Sequence, residues 1–205
     1  MKEKILEEAE RLFWKYGVRS ITMDDIARRL AISKKTIYQH FTDKEDILVQ
    51  VTEYRMSKDQ ELMHCSFTTA ETPIHEMLAM LDEMRKNADK MNPTLMMDIK
   101  RYYPKAWSLY IKFKEEYIMK GMIDTIRRGI NDGYFRADVN PEILARMRVE
   151  QVEMAFEMTV FSDKAYDMMD IQQELTHHFV RGLLTEKGFE IYNQCNSTIN
   201  HESTK

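Results

Sequence analysis

The chain reads as all-α and in two parts: a small N-terminal domain of three helices around a helix-turn-helix, and a larger C-terminal helical domain. Three observations predict this. Apolar residues recur every three or four positions from residue 2 to about 186, the helical period. No segment alternates convincingly with period two. Each of the 4 prolines precedes a helical pattern, a position where Pro lacks only an N–H that would be unsatisfied anyway. A length of 205 residues suits one compact unit or two small domains sharing a core.

Residues 2 to 16 predict an amphipathic helix. Its stripe is Ile5, Leu6, Ala9, Leu12, Phe13 and Tyr16, and Gly17 stops it. Thr22 can cap the next pattern, with Asp25 in its first turn, where an acid suits the helix dipole. Met23, Ile26, Ala27 and Leu30 face a core. Ala31-Ile32 is the break, and Ser33 caps a second short helix. Asp43 caps a further helix from Lys44, which carries Ile47, Leu48, Val51 and Tyr54 inward and runs on toward Leu62. In the remainder, helices are expected to start near 73, 93, 104 and 141. The first carries Met77, Leu81, Met84, Ala88 and Met91 on one face. The third is long, from Pro104 to the turn signal Asn131-Asp132-Gly133, and the fourth reaches about Phe161. A last helix spans roughly Met168 to Glu186 and ends at Gly188. The polar composition from 193 to 205 predicts a disordered tail.

The stretch from Thr22 to Phe41 carries the chemistry. In its second helix Ile37 and Phe41 stand four apart and share one face. Lys35 and Gln39 lie opposite that face. Lys34 and Tyr38 flank it on one side and Thr36 on the other. One apolar stripe therefore holds the helix while ammoniums, hydroxyls and an amide point outward, the groups that pair with phosphates and base edges. Lys34, Lys35 and Gln39 are candidates for base edges. Thr36, Tyr38, His40 and Lys44 are candidates for phosphates or neighbouring bases. The alternative is a solvated helix face, which does not account for the whole spaced pattern.

Phe13, Gly17, Thr22, Ile26-Ala27, Ile32-Ser33, Thr36, Tyr38, His40-Phe41, Lys44 and Leu48 together resemble the DNA-binding domain of TetR/AcrR-type transcriptional regulators, over about the first quarter of the chain. One departure is Ala31, where that family usually has Gly; a left-handed backbone is costlier for Ala, so the turn is expected to differ slightly. The resemblance implies an all-α fold with an N-terminal three-helix helix-turn-helix DNA-binding domain (1–48) and a C-terminal helical ligand-binding and dimerisation domain (49–192). It implies that the positions just named, with Thr22 and the start of its helix, meet double-stranded DNA at a palindromic operator. It also implies a two-fold four-helix interface between two copies. The apolar faces that fit are Leu144, Met147 and Met158 on one helix and Ile171, Leu175, Phe179 and Leu183 on the next, with Gly182 allowing close approach. An effector site in the body is implied as well. Tyr103, Trp107, Tyr110 and Tyr117 fall along one side of the long helix, and Met84, Met97, Met122 and Met154 are candidates to line the same space. The chain holds 17 Met, and pliable thioethers suit a bulky apolar or aromatic ligand. Packed core is the competing reading for each residue singly.

Net charge is −4, yet up to Tyr54 bases and acids balance, which leaves room for a local basic surface. No apolar run is long enough for a membrane span, and the acidic N-terminus is unlike a secretory signal. With Cys65 and Cys195 too few and too far apart for a disulfide framework, a cytoplasmic protein is expected. An enzyme is the rival class: Glu61-x-x-His64 and Glu174-x-x-His177 match the ligand pair of di-iron carboxylate bundles. Partner carboxylates on inward faces are not evident, and no metal or other cofactor is expected. His64, Cys65 and His75 lack a fourth ligand for zinc. A carrier or scaffold without DNA work is disfavoured by the donor-rich helix, and no nucleophile elbow, phosphate loop or dinucleotide fingerprint is present.

Overall fold

The computed structural model of the chain describes residues 1–88, 94–157 and 166–202, apart from the side chains of 66–68, 87, 88, 156, 157 and 196–202. Those residues form α1 (Lys2–Tyr16), α2 (Met23–Arg29), α3 (Lys34–Tyr38), α4 (Lys44–Thr69), α5 (Pro73–Ala88), α6 (Leu95–Tyr102), α7 (Pro104–Phe113), α8 (Met119–Asn131), α9 (Pro141–Glu157), α10 (Met168–Leu183) and α11 (Glu186–Glu202). Among them no strand forms beyond an isolated bridge between Phe135 and Leu184. Among the described residues no helix is long and apolar enough to cross a membrane. The chain divides into two compact units, 1–61 with 87–115 and 62–86 with 116–205.

In the first unit the expected stripes become one core. Ile5, Ala9 and Phe13 of α1 meet Ile26 of α2, Ile37 of α3, Phe41, and Ile47 and Leu48 of α4. Leu95 and Ile99 of α6 and Ala106 of α7 join the same cluster. Gly17 ends α1 at φ 79, its N–H on the Phe13 carbonyl at 2.9 Å. In the second unit a separate core joins Ile74, Met77 and Leu78 of α5 to Met119, Met122 and Ile126 of α8. Ala145 and Val149 of α9, Phe179, Val180 and Leu183 of α10, and Phe135, Leu184 and Tyr192 complete it.

The proline rule holds at Pro73, Pro104 and Pro141, the first residues of α5, α7 and α9. Pro93, Met91 and Phe161 lie outside the described residues. Two helix expectations need correction. The run from 104 to 131 is helical throughout, but it takes a π-helical turn at Lys114–Ile118, which divides it into α7 and α8. The last helix does not end at Gly188. α10 stops at Leu183, and a new helix, α11, runs to Glu202 over residues with a tail-like composition. Thr185 caps α11, its hydroxyl accepting the Gly188 N–H at 3.1 Å. Gly188 is buried inside the first turn, where an added Cβ would run into the Tyr134 carbonyl oxygen. A close approach of backbone, rather than a stop, calls for Gly here.

Candidate nucleic-acid interface

Thr22 begins α2 with a complete capping box: its hydroxyl accepts the Asp25 N–H at 3.2 Å, and its own N–H donates to Asp25 Oδ2 at 3.0 Å. The Thr22 hydroxyl also donates to Asp25 Oδ2 at 2.6 Å. These bonds hold the Asp25 carboxyl below the usual range. The turn after α2 is a Schellman motif. The Ile32 N–H reaches the Ala27 carbonyl at 3.0 Å and the Ala31 N–H reaches the Arg28 carbonyl at 3.2 Å. That motif needs a left-handed residue at position 31, and Ala31 adopts it, at φ 54. The turn thus keeps the geometry that Gly would give, contrary to the slight change expected from Ala.

Ser33 caps α3 by accepting the Thr36 N–H at 3.1 Å, and the Ser33 and Thr36 hydroxyls lie 2.9 Å apart. Ile37 and Phe41 are buried at 0% and 2% exposure. Lys34, Lys35, Gln39 and His40 are exposed, Tyr38 is 50% exposed, and Thr36 is half-buried. The outward set of the sequence is therefore brought together on one face.

Two lysines have partners within the fold. Lys34 Nζ donates to Asp24 Oδ2 at 3.0 Å, which holds its ammonium above the usual range. Asp24 stands in the first turn of α2, so Lys34 is occupied across the helix pair, although an exposed pair of this kind is weak and a phosphate can displace it. Lys44 is held more firmly. Its Nζ donates to the Val18 and Ile21 carbonyls, both at 3.1 Å, and burial pushes its pKa down. It clamps the α1–α2 loop with two of its three donors. The sequence reading passed over Arg28 and Arg29, both exposed on α2. Arg28 makes a 3.5 Å pair with Asp25. The place of Arg28 opposite Ile26 and Ala27 on the helix, with Arg29 at the edge of that face, is the signal that could have found them. With Lys34 and Lys35 they make the α2–α3 stretch locally basic in an acidic chain.

The effector candidates fall into both units. Met97, Tyr103, Trp107 and Tyr110 belong to the first, and Met84, Tyr117, Met122 and Met154 to the second. Tyr103 and Trp107 pack on the first core and Met122 is buried in the second, while Met97 is 46% exposed. The dimer candidates also divide. Ile171, Phe179 and Leu183 are buried within their own unit; Leu144 and Leu175 are half-buried; Met147 and Gly182 are exposed. Met158 lies outside the described residues. Leu144, Met147, Phe179, Gly182 and Leu183 line a groove of about 210 Å³ between α9 and α10, with exposed Ile143 and His178 on its lining.

The di-iron alternative finds nothing to support it. Glu61 and His64 are exposed on α4, Glu174 is exposed on α10, and His177 Nδ1 pairs with Tyr192 Oη at 2.6 Å. Among the described residues no three His, Cys, Asp or Glu side chains gather as a metal would require.

Residues 5–51 match the model of bacterial regulatory proteins, tetR family. The HTH-type transcriptional repressor KstR2 of Mycobacterium tuberculosis is 24% identical over 161 residues, 70% of this chain and 73% of that one. A transcriptional regulator from Saccharomonospora viridis in complex with choline shares the fold at TM-score 0.75 and 20% identity, over 90% of this chain and 98% of the other. FadR from Bacillus subtilis in complex with stearoyl-CoA does so at 0.70 and 17%, over 89% and 100%.

Proposed function

Since the chain belongs, through residues 5–51, to the tetR family of bacterial regulatory proteins, we propose that it works as a homodimeric repressor that a small molecule releases from a palindromic operator. Residues 1–48 read the DNA and 49–192 sense the effector and dimerise. The observation that carries the DNA reading is the face of α3: Lys35, Tyr38, Gln39 and His40 outward over buried Ile37 and Phe41. A short helix pinned in this way enters a major groove. Lys35 and Gln39 reach base edges, Tyr38, His40 and Thr36 reach the backbone, and Arg28 and Arg29 add charge beside it.

One such head offers too little surface for tight specific binding, and two heads one helical turn apart read both halves of a palindrome. The groove between α9 and α10, flanked by Ile143 at 65% and Met147 at 43% exposure, supports a second copy packing there as an isologous pair. Regulators of the same fold that carry choline or stearoyl-CoA support a small-molecule effector; entry of a ligand would tilt the heads and spoil the half-site spacing.

A band shift on the DNA upstream of the chain's own gene tests the reading. Tyr38→Ala should weaken binding alike on all sequences, whereas Gln39→Ala should change which sequence is preferred, by about 1–3 kcal/mol per base contact. Binding unchanged by both substitutions would remove α3 from the interface. Light scattering at micromolar concentration should give twice the chain mass, and Met147→Glu should return it to one.

A further inference from the structure

Two charged side chains deep in the second unit are treated oppositely. Glu76 of α5 is 1% exposed, and its oxygens accept Arg128 Nη1 and Nη2 at 2.6 Å each and the Thr125 hydroxyl at 3.0 Å. That charge is neutralised where it stands. Arg148 of α9 is 7% exposed and meets no carboxylate among the described residues. Its Nη2 donates to Thr176 Oγ1 at 2.6 Å, and Thr176 in turn donates to the Gln172 carbonyl at 2.6 Å. Its Nη1 is buried with no hydrogen-bond partner. Burial without a counter-charge pushes the guanidinium down to about 10.

Two more atoms are left over beside it. Gln151 Oε1, one turn further along α9, and Gln172 Oε1, one turn before Thr176 on α10, are also buried and unpartnered. Gln172 is held in register by its Nε2, which donates to the Val152 carbonyl of α9 at 2.9 Å. The unused donor and the two unused acceptors thus stand on facing stretches of α9 and α10, joined by hydrogen bonds that fix the backbone around them. Buried polar atoms nearly always find partners, and an unpaired buried cation is the costliest exception. Packing alone would be served better by Met or Leu at 148.

We propose that Arg148 receives the carboxylate of an acidic, largely apolar effector, with the side-chain oxygens of Gln151 and Gln172 accepting from a ligand hydroxyl or from water carried in with it. The inference rests on the reading that the second unit binds a small molecule. It narrows that molecule to an anion: a cation such as choline would meet the guanidinium at a like charge. Ligand entry supplies what Glu76 already has, so binding and neutralisation of the buried charge are one event.

The experiment uses the full chain with octanoate, dodecanoate and benzoate, each against its matched alcohol, and choline as the cation. At least one carboxylate should raise the melting temperature saturably, while its alcohol and choline should not. Arg148→Met should weaken that carboxylate about 100-fold, and without ligand should melt no lower than wild type, because an unpaired buried charge is gone. Should Arg148→Met not fold, Arg148→Lys carries the test: losing the planar fork should weaken the carboxylate about 10-fold. No shift with any carboxylate, equal shifts with the alcohol, or a variant that binds like wild type would each overturn the site. A band shift with the upstream DNA separates this from the broader reading. A carboxylate that binds through Arg148 but leaves the DNA complex intact upholds the site and sinks release by effector. Release by a neutral molecule, equally in Arg148→Met, sinks the site and upholds release.

Discussion

Replacing Ala31 with Gly should stabilise the protein. Ala31 sits at φ 54, where the Cβ of an L-residue crowds the following carbonyl at a cost of roughly 1–2 kcal/mol. The residue is exposed and its N–H and that of Ile32 close the Schellman turn, so nothing in the folded chain depends on the methyl group. Gly would relieve that strain but would start from a freer unfolded chain, a loss of about 0.4–1 kcal/mol. The net gain is about 1 kcal/mol, which for a chain of this size raises the melting temperature by roughly 2–4 °C. Urea unfolding should show a higher midpoint with an unchanged slope. Ala31→Val should move the opposite way, since a β-branched side chain tolerates this conformation worst. DNA affinity of Ala31→Gly should stay near that of wild type, because the turn already has its geometry. A Gly variant no more stable than wild type would mean that strain at position 31 is not stored in the native state.

Other perturbations read other parts of the molecule. Lys44→Met keeps the apolar stem but removes the clamp on the Val18 and Ile21 carbonyls. It should cost about 1–2 kcal/mol in urea unfolding, discounting a charged hydrogen-bond pair for partial exposure; intact stability with only DNA binding reduced would return Lys44 to a pure phosphate contact. His177 has its pKa lowered by burial and then by Arg181, so the fold disfavours its proton. The stability this contributes is complete above the unfolded value of about 6.5 and is lost as pH falls toward the lower folded value. Between pH 7 and 5 the melting temperature should therefore drop more for wild type than for His177→Gln, and parallel curves would exclude the effect. Gly188→Ala drives a Cβ into the Tyr134 carbonyl oxygen and should cost about 1–3 kcal/mol; a neutral Ala would mean that α11 does not dock against that loop.

The first unit was legible because its signals are local. Thr22, Ser33 and Gly17 mark helix ends by chemistry acting within four residues, and Ile37 with Phe41 orients α3 on its own. The proline starts of α5, α7 and α9 have the same short range. What escaped depends on distant partners. Lys44 is a surface residue by type, and only the carbonyls 26 and 23 positions back make it a clamp. The π-helical turn at Lys114–Ile118 leaves no mark in the apolar spacing. Between Leu183 and Gly188 the chain carries neither Gly nor Pro, so the first stop signal that the sequence offers after the break is Gly188, already inside the next helix. Arg148 was hidden for another reason: apolar spacing highlights Leu144 and Met147 beside it and passes over a charge at an inward position. The same holds for Gln172 and Thr176 on α10.

A five-residue helix such as α3 has no stability of its own, since nucleation alone defeats segments of this length. Its shape is imposed by the Ser33 cap, the left-handed Ala31 and the buried Ile37 and Phe41, with the Lys44 clamp bracing the loop ahead of α2. Residues that hold the helix and residues that touch DNA should then separate in one measurement. Removing a phosphate contact lowers the slope of affinity against salt by about one ion. Loosening a support, as Ile37→Ala would, leaves every charge in place, so affinity should fall with the slope unchanged. A slope that falls for Ile37→Ala as it does for a lost lysine would mean that α3 forms on the duplex without support from its core.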